Sequence, residues 1–195
     1  LQLHQLVKNL SNPVEKARLR KQFLDARDEL SLDFIKIASN RIRDNLRKID
    51  FYRQATSIGT YYSIGSEVQT HDLLQEFFNQ GKEIALPRVD KNDLVFKKIS
   101  SLSDLELGNF SVMEPREKCE TVKKLDVILV PAIALTREGY RLGYGFGFYD
   151  RYLHGKKSKK IGLTYSKHVL KSFPHDDHDV KMDCIVTEDS IIYAK

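Results

Sequence analysis

Between Leu125 and Ile133 the chain reads Leu-Asp-Val-Ile-Leu-Val-Pro-Ala-Ile, apolar at almost every position. A strand with one wet face alternates apolar and polar residues. A run without alternation predicts a strand buried on both faces, central in a sheet that helices cover. The longest apolar stretch, 127–135, has nine residues, whereas a membrane-spanning helix needs about 20. The run therefore belongs to the core of a globule. A chain of 195 residues is long enough to bury roughly 70% of its unfolded surface without disulfides or metals. One domain over 1–195 is expected, with 1–11 disordered.

Caps and periodicity supply the elements around that strand. Asn12-Pro13-Val14-Glu15 reads as a helix start, with Asn12 as N-cap, Pro13 at the first position and Glu15 at the third. The helix would run to about residue 27 and place Lys16 and Arg20 one turn apart on one face, by themselves a solvated basic face. Ser31 can cap a second helix, whose apolar stripe is Phe34, Ala38, Ile42, Leu46 and Ile49. A strand over 56–62, a helix over 70–80 closed by Gly81, and strands over 83–86 and 94–99 follow. The segment 102–115 reads as loop-rich. Beyond the central strand come a helix over 148–154 and strands over 160–165, 184–187 and 191–193. Strands alternating with helices predict an α/β domain with a mostly parallel central sheet flanked by helices. Ligands bind such sheets beyond the carboxyl ends of the strands, where the chain after Ile133 would lie.

That chain carries Arg141-Leu142-Gly143-Tyr144-Gly145-Phe146-Gly147-Phe148-Tyr149-Asp150-Arg151. Glycine permits positive φ and close approach to a ligand, so successive N–H groups can converge on one anion. An arginine at each end adds planar donors suited to phosphate, and Asp150 can hold a metal riding on that phosphate. The competing reading is a glycine-rich turn whose aromatics fill the core. A dinucleotide fingerprint is excluded, because the spacing is G-x-G-x-G and the apolar run ends well before Gly143. No Walker string occurs either. A phosphate-binding glycine loop of another geometry is predicted.

The remaining composition narrows the partners. Lys and Arg number 32 against 27 Asp and Glu, a net charge of +5. Much of the excess sits in Lys156-Lys157-Ser158-Lys159-Lys160, which has no interleaved aromatics and reads as a solvated loop, so no nucleic acid is expected. No membrane association is expected, and the start shows no signal-peptide pattern. Cys119 and Cys184 form neither a disulfide framework nor a metal motif, which fits the cytoplasm. His175 and His178 lie among Asp176, Asp177 and Asp179 without zinc spacing.

Taken together, several strings resemble the 5-formyltetrahydrofolate cyclo-ligase family, also called methenyltetrahydrofolate synthetases. They are Lys16-Ala-Arg-Leu-Arg20, Tyr62-Ser-Ile-Gly-Ser-Glu67-Val-Gln-Thr70, Leu86-Pro87-Arg88, Val130-Pro131, the glycine loop Arg141–Asp150, and His178-Asp179-Val-Lys-Met-Asp183-Cys-Ile-Val-Thr187. They cover most of the chain in one order. The resemblance implies an ATP- and Mg²⁺-dependent enzyme that closes 5-formyltetrahydrofolate, polyglutamylated or not, to 5,10-methenyltetrahydrofolate, working as a monomer. It makes Lys16, Arg20, Arg141 and the loop from Leu142 through Gly143, Tyr144, Gly145, Phe146, Gly147 and Phe148 to Tyr149 the ATP-binding set. It makes Arg141 and Tyr149 the catalytic residues, and Asp150 and Asp179 the Mg²⁺ ligands. Glu67 matches the acid that binds the pterin, with Tyr62, Phe110, Tyr144 and Phe148 as flat walls. The chain departs from the family at Phe148, where tyrosine is common, and at bulky Phe146, where glycine is often found.

Overall fold

The computed structural model describes the backbone of residues 2–194 and the side chains of 13–108 and 110–194. Among the described residues five α-helices form: α1 (Gln2–Asp28), α2 (Leu32–Leu46), α3 (Asp50–Gln54), α4 (His71–Asn79) and α5 (Phe148–Leu153). The strands are β1 (Ser57–Gly59), β2 (Glu83–Asp90), β3 (Asp93–Ile99), β4 (Leu105–Leu107), β5 (Met113–Pro115), β6 (Val127–Pro131), β7 (Ala134–Thr136), β8 (Arg141–Leu142), β9 (Lys159–Leu163), β10 (Val169–Leu170), β11 (Cys184–Val186) and β12 (Ile191–Tyr193).

Ser31 caps α2 as its sequence position suggests: the residue is extended, and its hydroxyl accepts from the Phe34 N–H at 3.2 Å. The first helix departs from expectation. It begins at Gln2 rather than after Asn12, and Pro13 lies inside it, where its missing N–H removes one backbone hydrogen bond. The expectation of disorder for 1–11 falls on residues whose side chains lie outside those described.

Seven strands make the main sheet in the order β12-β11-β9-β6-β1-β2-β3. The five inner strands run parallel, and β3 and β12 pair antiparallel at the two edges. β6 is the central strand its apolar run predicts, with Val127, Ile128, Leu129 and Val130 each at most 1% exposed. Val127 and Leu129 pack under α2 and α4 with Ile42, Leu46, Leu74 and Phe77. Ile128 and Val130 join Phe96, Leu135 and Leu153 on the other face. Burying side chains of this size stabilises by about 1.5–3 kcal/mol each. Glycine keeps the second face open for large neighbours: a Cβ at Gly59 would lie 2.8 Å from Leu125, and one at Gly162 would lie 2.8 Å from Leu135.

The order of strands positions the site. The chain leaves β1 toward β2 on one side, then returns to place β6, β9 and β11 on the other. The segments after β1 and β6 therefore part at a topological switch point, where a crevice opens beyond the strand ends. The segment after β1 carries Glu67. The segment after β6 turns into the hairpin β7–β8, closed at Gly139 with φ 97° and joined to β10. That hairpin delivers Arg141 and the glycine loop to the crevice. Among the described residues no helix is long and apolar enough to cross a membrane.

Candidate functional site

Every residue expected in the site from sequence lines one cavity of about 670 Å³ at this switch point: Lys16, Arg20, Tyr62, Glu67, Phe110, 141–150 and Asp179. The loop's three glycines each have a guanidinium against them. A Cβ on Gly143 would lie 2.2 Å from Arg141 Nη1, one on Gly145 3.1 Å from Arg20 Cζ, and one on Gly147 2.8 Å from Arg151 Nη1. Gly145 and Gly147 also hold positive φ, at 101° and 68°. Arg20 donates from Nε to the Gly143 carbonyl at 2.7 Å, and Arg151 donates to the Phe146 carbonyl at 2.8 Å. The loop is thus wrapped around positive charge, which a core-filling turn would not need.

Arg141 is nearly buried, with 6% of its side chain exposed, and its Nη2 donates to Asp150 Oδ2 at 2.8 Å. Its guanidinium lies over the Tyr149 ring, 5.3 Å from the centroid. Arg141 Nε and the Tyr149 hydroxyl are buried with no hydrogen-bond partner among the described residues. Burial pushes the Tyr149 hydroxyl upward in pKa, against the opposing pull of Arg141. Buried donors are rarely left unpaired, so each of these calls for a partner such as a water or a ligand atom.

The side chain of one expected Mg²⁺ ligand reaches the backbone next to the other. Asp150 Oδ1 accepts from the Val180 N–H at 3.3 Å, one residue past Asp179. Each carboxylate is turned to a cation. Lys16 Nζ lies 2.6 Å from Asp179 Oδ2 and 2.7 Å from Asp176 Oδ2. Burial lowers the Lys16 pKa, but its bonds to Asp176 and Asp179 outweigh this and leave it above its ordinary value. Asp176, His178 and Asp179 offer donor atoms all within 4.8 Å of one another. The Lys16 ammonium bridges the two carboxylates, whose oxygens are donors of the kind Mg²⁺ prefers. Asp176 went unassigned in the sequence because it sits in an acidic turn with nothing to separate it from Asp177. His175 lies apart from this group, stacked on Tyr140 at 3.5 Å.

Glu67 is buried, with 6% exposed. Its Oε2 accepts from the Ile64 N–H at 3.1 Å and its Oε1 from the Tyr144 hydroxyl at 3.1 Å. Burial raises its pKa, opposed by the Ile64 bond, Arg27 and Tyr144. Phe110, Phe146 and Phe148 cluster at the rim, with Phe110 and Phe146 centroids 5.0 Å apart and Phe146 and Phe148 5.7 Å apart. Phe110 is 61% exposed and takes φ 56°, a strained conformation for a residue with a Cβ. Tyr62 meets the His71 ring edge-on at 4.3 Å. The basic side chains facing the cavity along α1 are Lys16 and Arg20, and Arg27 continues the same face at a spacing of seven residues.

A model of the 5-formyltetrahydrofolate cyclo-ligase family matches residues 12–188. The 5-formyltetrahydrofolate cyclo-ligase of Saccharomyces cerevisiae is 32% identical over 205 residues, covering 91% of this chain and 97% of that protein. The Haemophilus influenzae 5-formyltetrahydrofolate cyclo-ligase is 31% identical, covering 67% and 74%. The NMR structure of Aquifex aeolicus 5,10-methenyltetrahydrofolate synthetase superposes with a TM-score of 0.82 at 34% identity, covering 92% of this chain and 93% of that one. The family match, the relatives and the site's residues agree: the chain belongs to the 5-formyltetrahydrofolate cyclo-ligase family.

Proposed function

We propose that this protein uses ATP to close 5-formyltetrahydrofolate to 5,10-methenyltetrahydrofolate, releasing ADP and phosphate. The observation that carries the reading is one cavity holding both a glycine loop ringed by arginines and a buried carboxylate. Lys16 and Arg27 lie at the two regions, and their separation of eleven positions along the helix spans about 16 Å at about 1.5 Å per residue. That length suits a folate and a triphosphate lying end to end, with the N5-formyl oxygen between the pterin's amino edge and the γ-phosphate.

The formyl carbonyl on N5 is a poor electrophile and its oxygen a poor leaving group. Transfer of the γ-phosphoryl to that oxygen gives an iminium-like phosphate; N10 attacks the carbon and phosphate leaves. Such transfer calls for positioning and charge neutralisation rather than covalent help. Lys16, Arg20 and the loop amides would hold the triphosphate. Arg141, kept in place by Asp150 and the Tyr149 ring, would meet the charge developing on the transferring group. The Tyr149 hydroxyl would donate to an oxygen beside it. Glu67 would accept from the 2-amino group and ring N–H of the pterin. Mg²⁺ would be held by Asp179 and Asp150, with Asp176 in reach of the same region, and would neutralise phosphate charge. The free thiols of Cys119 and Cys184 support a reducing compartment such as the cytoplasm.

The test is to mix protein, 5-formyltetrahydrofolate, ATP and Mg²⁺ and to follow methenyl absorbance and ADP together. Product should require both ATP and Mg²⁺, with one ADP per methenyl group. Product without ATP would overturn the mechanism, and no product under any condition would favour a binding-only protein.

A further inference from the structure

Arg27 lies near the end of α1 with 5% exposed, in a position where a buried guanidinium needs a reason. Its Nε donates to Ser66 Oγ at 3.0 Å, and its Nη2 donates to the Tyr144 hydroxyl at 2.8 Å. The Tyr144 hydroxyl in turn donates to Glu67 Oε1 at 3.1 Å. Ser66 is fixed on both sides, by its own bond to Asp28 and by the Tyr165 hydroxyl donating to its carbonyl at 3.1 Å.

The direction of these bonds is set by chemistry. A guanidinium can only donate, so the phenol oxygen accepts from Arg27 and its single proton must point to Glu67. The carboxylate is thereby held as an acceptor. We infer that Arg27 is a positioning residue that, through the Tyr144 hydroxyl, keeps the Glu67 carboxylate in the acceptor state and orientation a pterin requires. This rests on the reading of Glu67 as the acid that binds substrate. Arg27 itself does not line the cavity.

The groups facing Glu67 come from every element around it. Arg27 reaches in from α1, Tyr144 from the glycine loop, Tyr61 from the segment after β1, Tyr149 from α5 and Tyr165 from the segment after β9. Burial pushes the hydroxyls of Tyr61, Tyr149 and Tyr165 upward, so these stay neutral through the range in which a carboxyl titrates. Arg27 is the charged member of the set. Without it Glu67 would lose its opposing charge, and burial would favour the protonated form to a higher pH.

The experiment compares wild type, Arg27→Leu, Arg27→Lys and Tyr144→Phe by kcat/KM for 5-formyltetrahydrofolate across pH. Calorimetric titration with the same folate over the same pH range runs in parallel. Arg27→Leu should raise the folate KM roughly tenfold, the scale of a lost hydrogen bond to a charged group. It should move the acidic limb to higher pH and leave the KM for ATP unchanged. Arg27→Lys should recover part of both effects, since it restores the charge. An unmoved limb with unchanged folate KM would overturn the inference. So would an equal loss of kcat with both substrates and no change in the limb, which is what a purely structural arginine gives. If Arg27→Leu does not fold, Tyr144→Phe decides, since it cuts the relay while keeping the ring: a wild-type acidic limb there overturns the proposal. Calorimetry separates this from the activity itself, because pH-dependent folate binding is read whether or not wild type turns over.

Discussion

At the scale of one residue, the surroundings of Glu67 offer a way to separate the substrate-binding role proposed for it from a structural one. Burial raises its pKa while the Ile64 N–H, Arg27 and Tyr144 pull the other way, and burial wins. A folded-state carboxyl with a raised pKa binds its proton more tightly than in the unfolded chain. Its favourable contribution is therefore present at low pH and is lost as pH rises through the raised value. At neutral pH the ionised form costs stability, and Glu67→Gln should leave Tm unchanged or higher. The same change should weaken 5-formyltetrahydrofolate about tenfold or more, because the amide presents a donor where the pterin amine also donates, and it should leave ATP binding alone. Thermal unfolding beside calorimetry with each ligand checks this; a clear fall in Tm would show that the carboxylate holds its own loop together. From sequence alone Glu67 was indistinguishable from a surface acid beside a strand end, and only the family pattern singled it out. Arg27 was missed altogether, because the spacing that puts it on the Lys16 face also fits an exposed helix.

At the scale of elements, the glycine loop was legible because its chemistry is local: small residues and arginines within a few positions of one another. What could not be read is what each glycine accommodates. Gly145 and Gly147 need positive φ, as the pattern suggests, but Gly143 is there for the Arg141 guanidinium, 2.2 Å from where a Cβ would lie. Gly143→Ala therefore tests the arginine through its neighbour. The backbone at Gly143 is outside the left-handed region, so alanine strains little there, and the guanidinium must shift from Asp150 and the Tyr149 ring. We expect kcat to fall about 10²–10³-fold, the cost of a misplaced donor at a developing charge, with destabilisation of about 1–3 kcal/mol from overpacking. Turnover with a melting curve measures both, and normal kcat would mean that Arg141 need not hold this position. The hairpin β7–β8 escaped prediction for a physical reason: strands of three and two residues are too short to show a period. The longer central run β6 left no such ambiguity.

Across the whole molecule, α1 closes the site by reaching from the chain's start to its end. Lys16 pairs with Asp176 and Asp179, 160 and 163 residues away, a contact that local sequence patterns cannot reveal. The alternation of strands and helices did predict the parallel core and the side on which the crevice opens, since both follow from connection rules. The antiparallel edges β3 and β12 fall outside those rules. The Lys16 contact gives the molecule a testable property. With no ligand bound, the Lys16 ammonium neutralises the acids that would share the region with Mg²⁺, and a bound triphosphate would draw it toward phosphate and release them. Lys16→Met should then do two opposite things. It should destabilise the protein without metal by about 1–3 kcal/mol, since it leaves two poorly solvated carboxylates facing each other, or roughly 2–4 °C in Tm per kcal/mol for a chain of this size. It should also make Mg²⁺ alone a better stabiliser than it is for wild type, because the competing cation is gone and a ligand raises stability in proportion to its affinity for the folded state. Melting curves of both proteins over a Mg²⁺ series without nucleotide, with NaCl matched for ionic strength, provide the measurement. A steeper rise for Lys16→Met identifies the carboxylates as a cation site that lysine guards; parallel curves would mean that the pair is a plain structural ion pair.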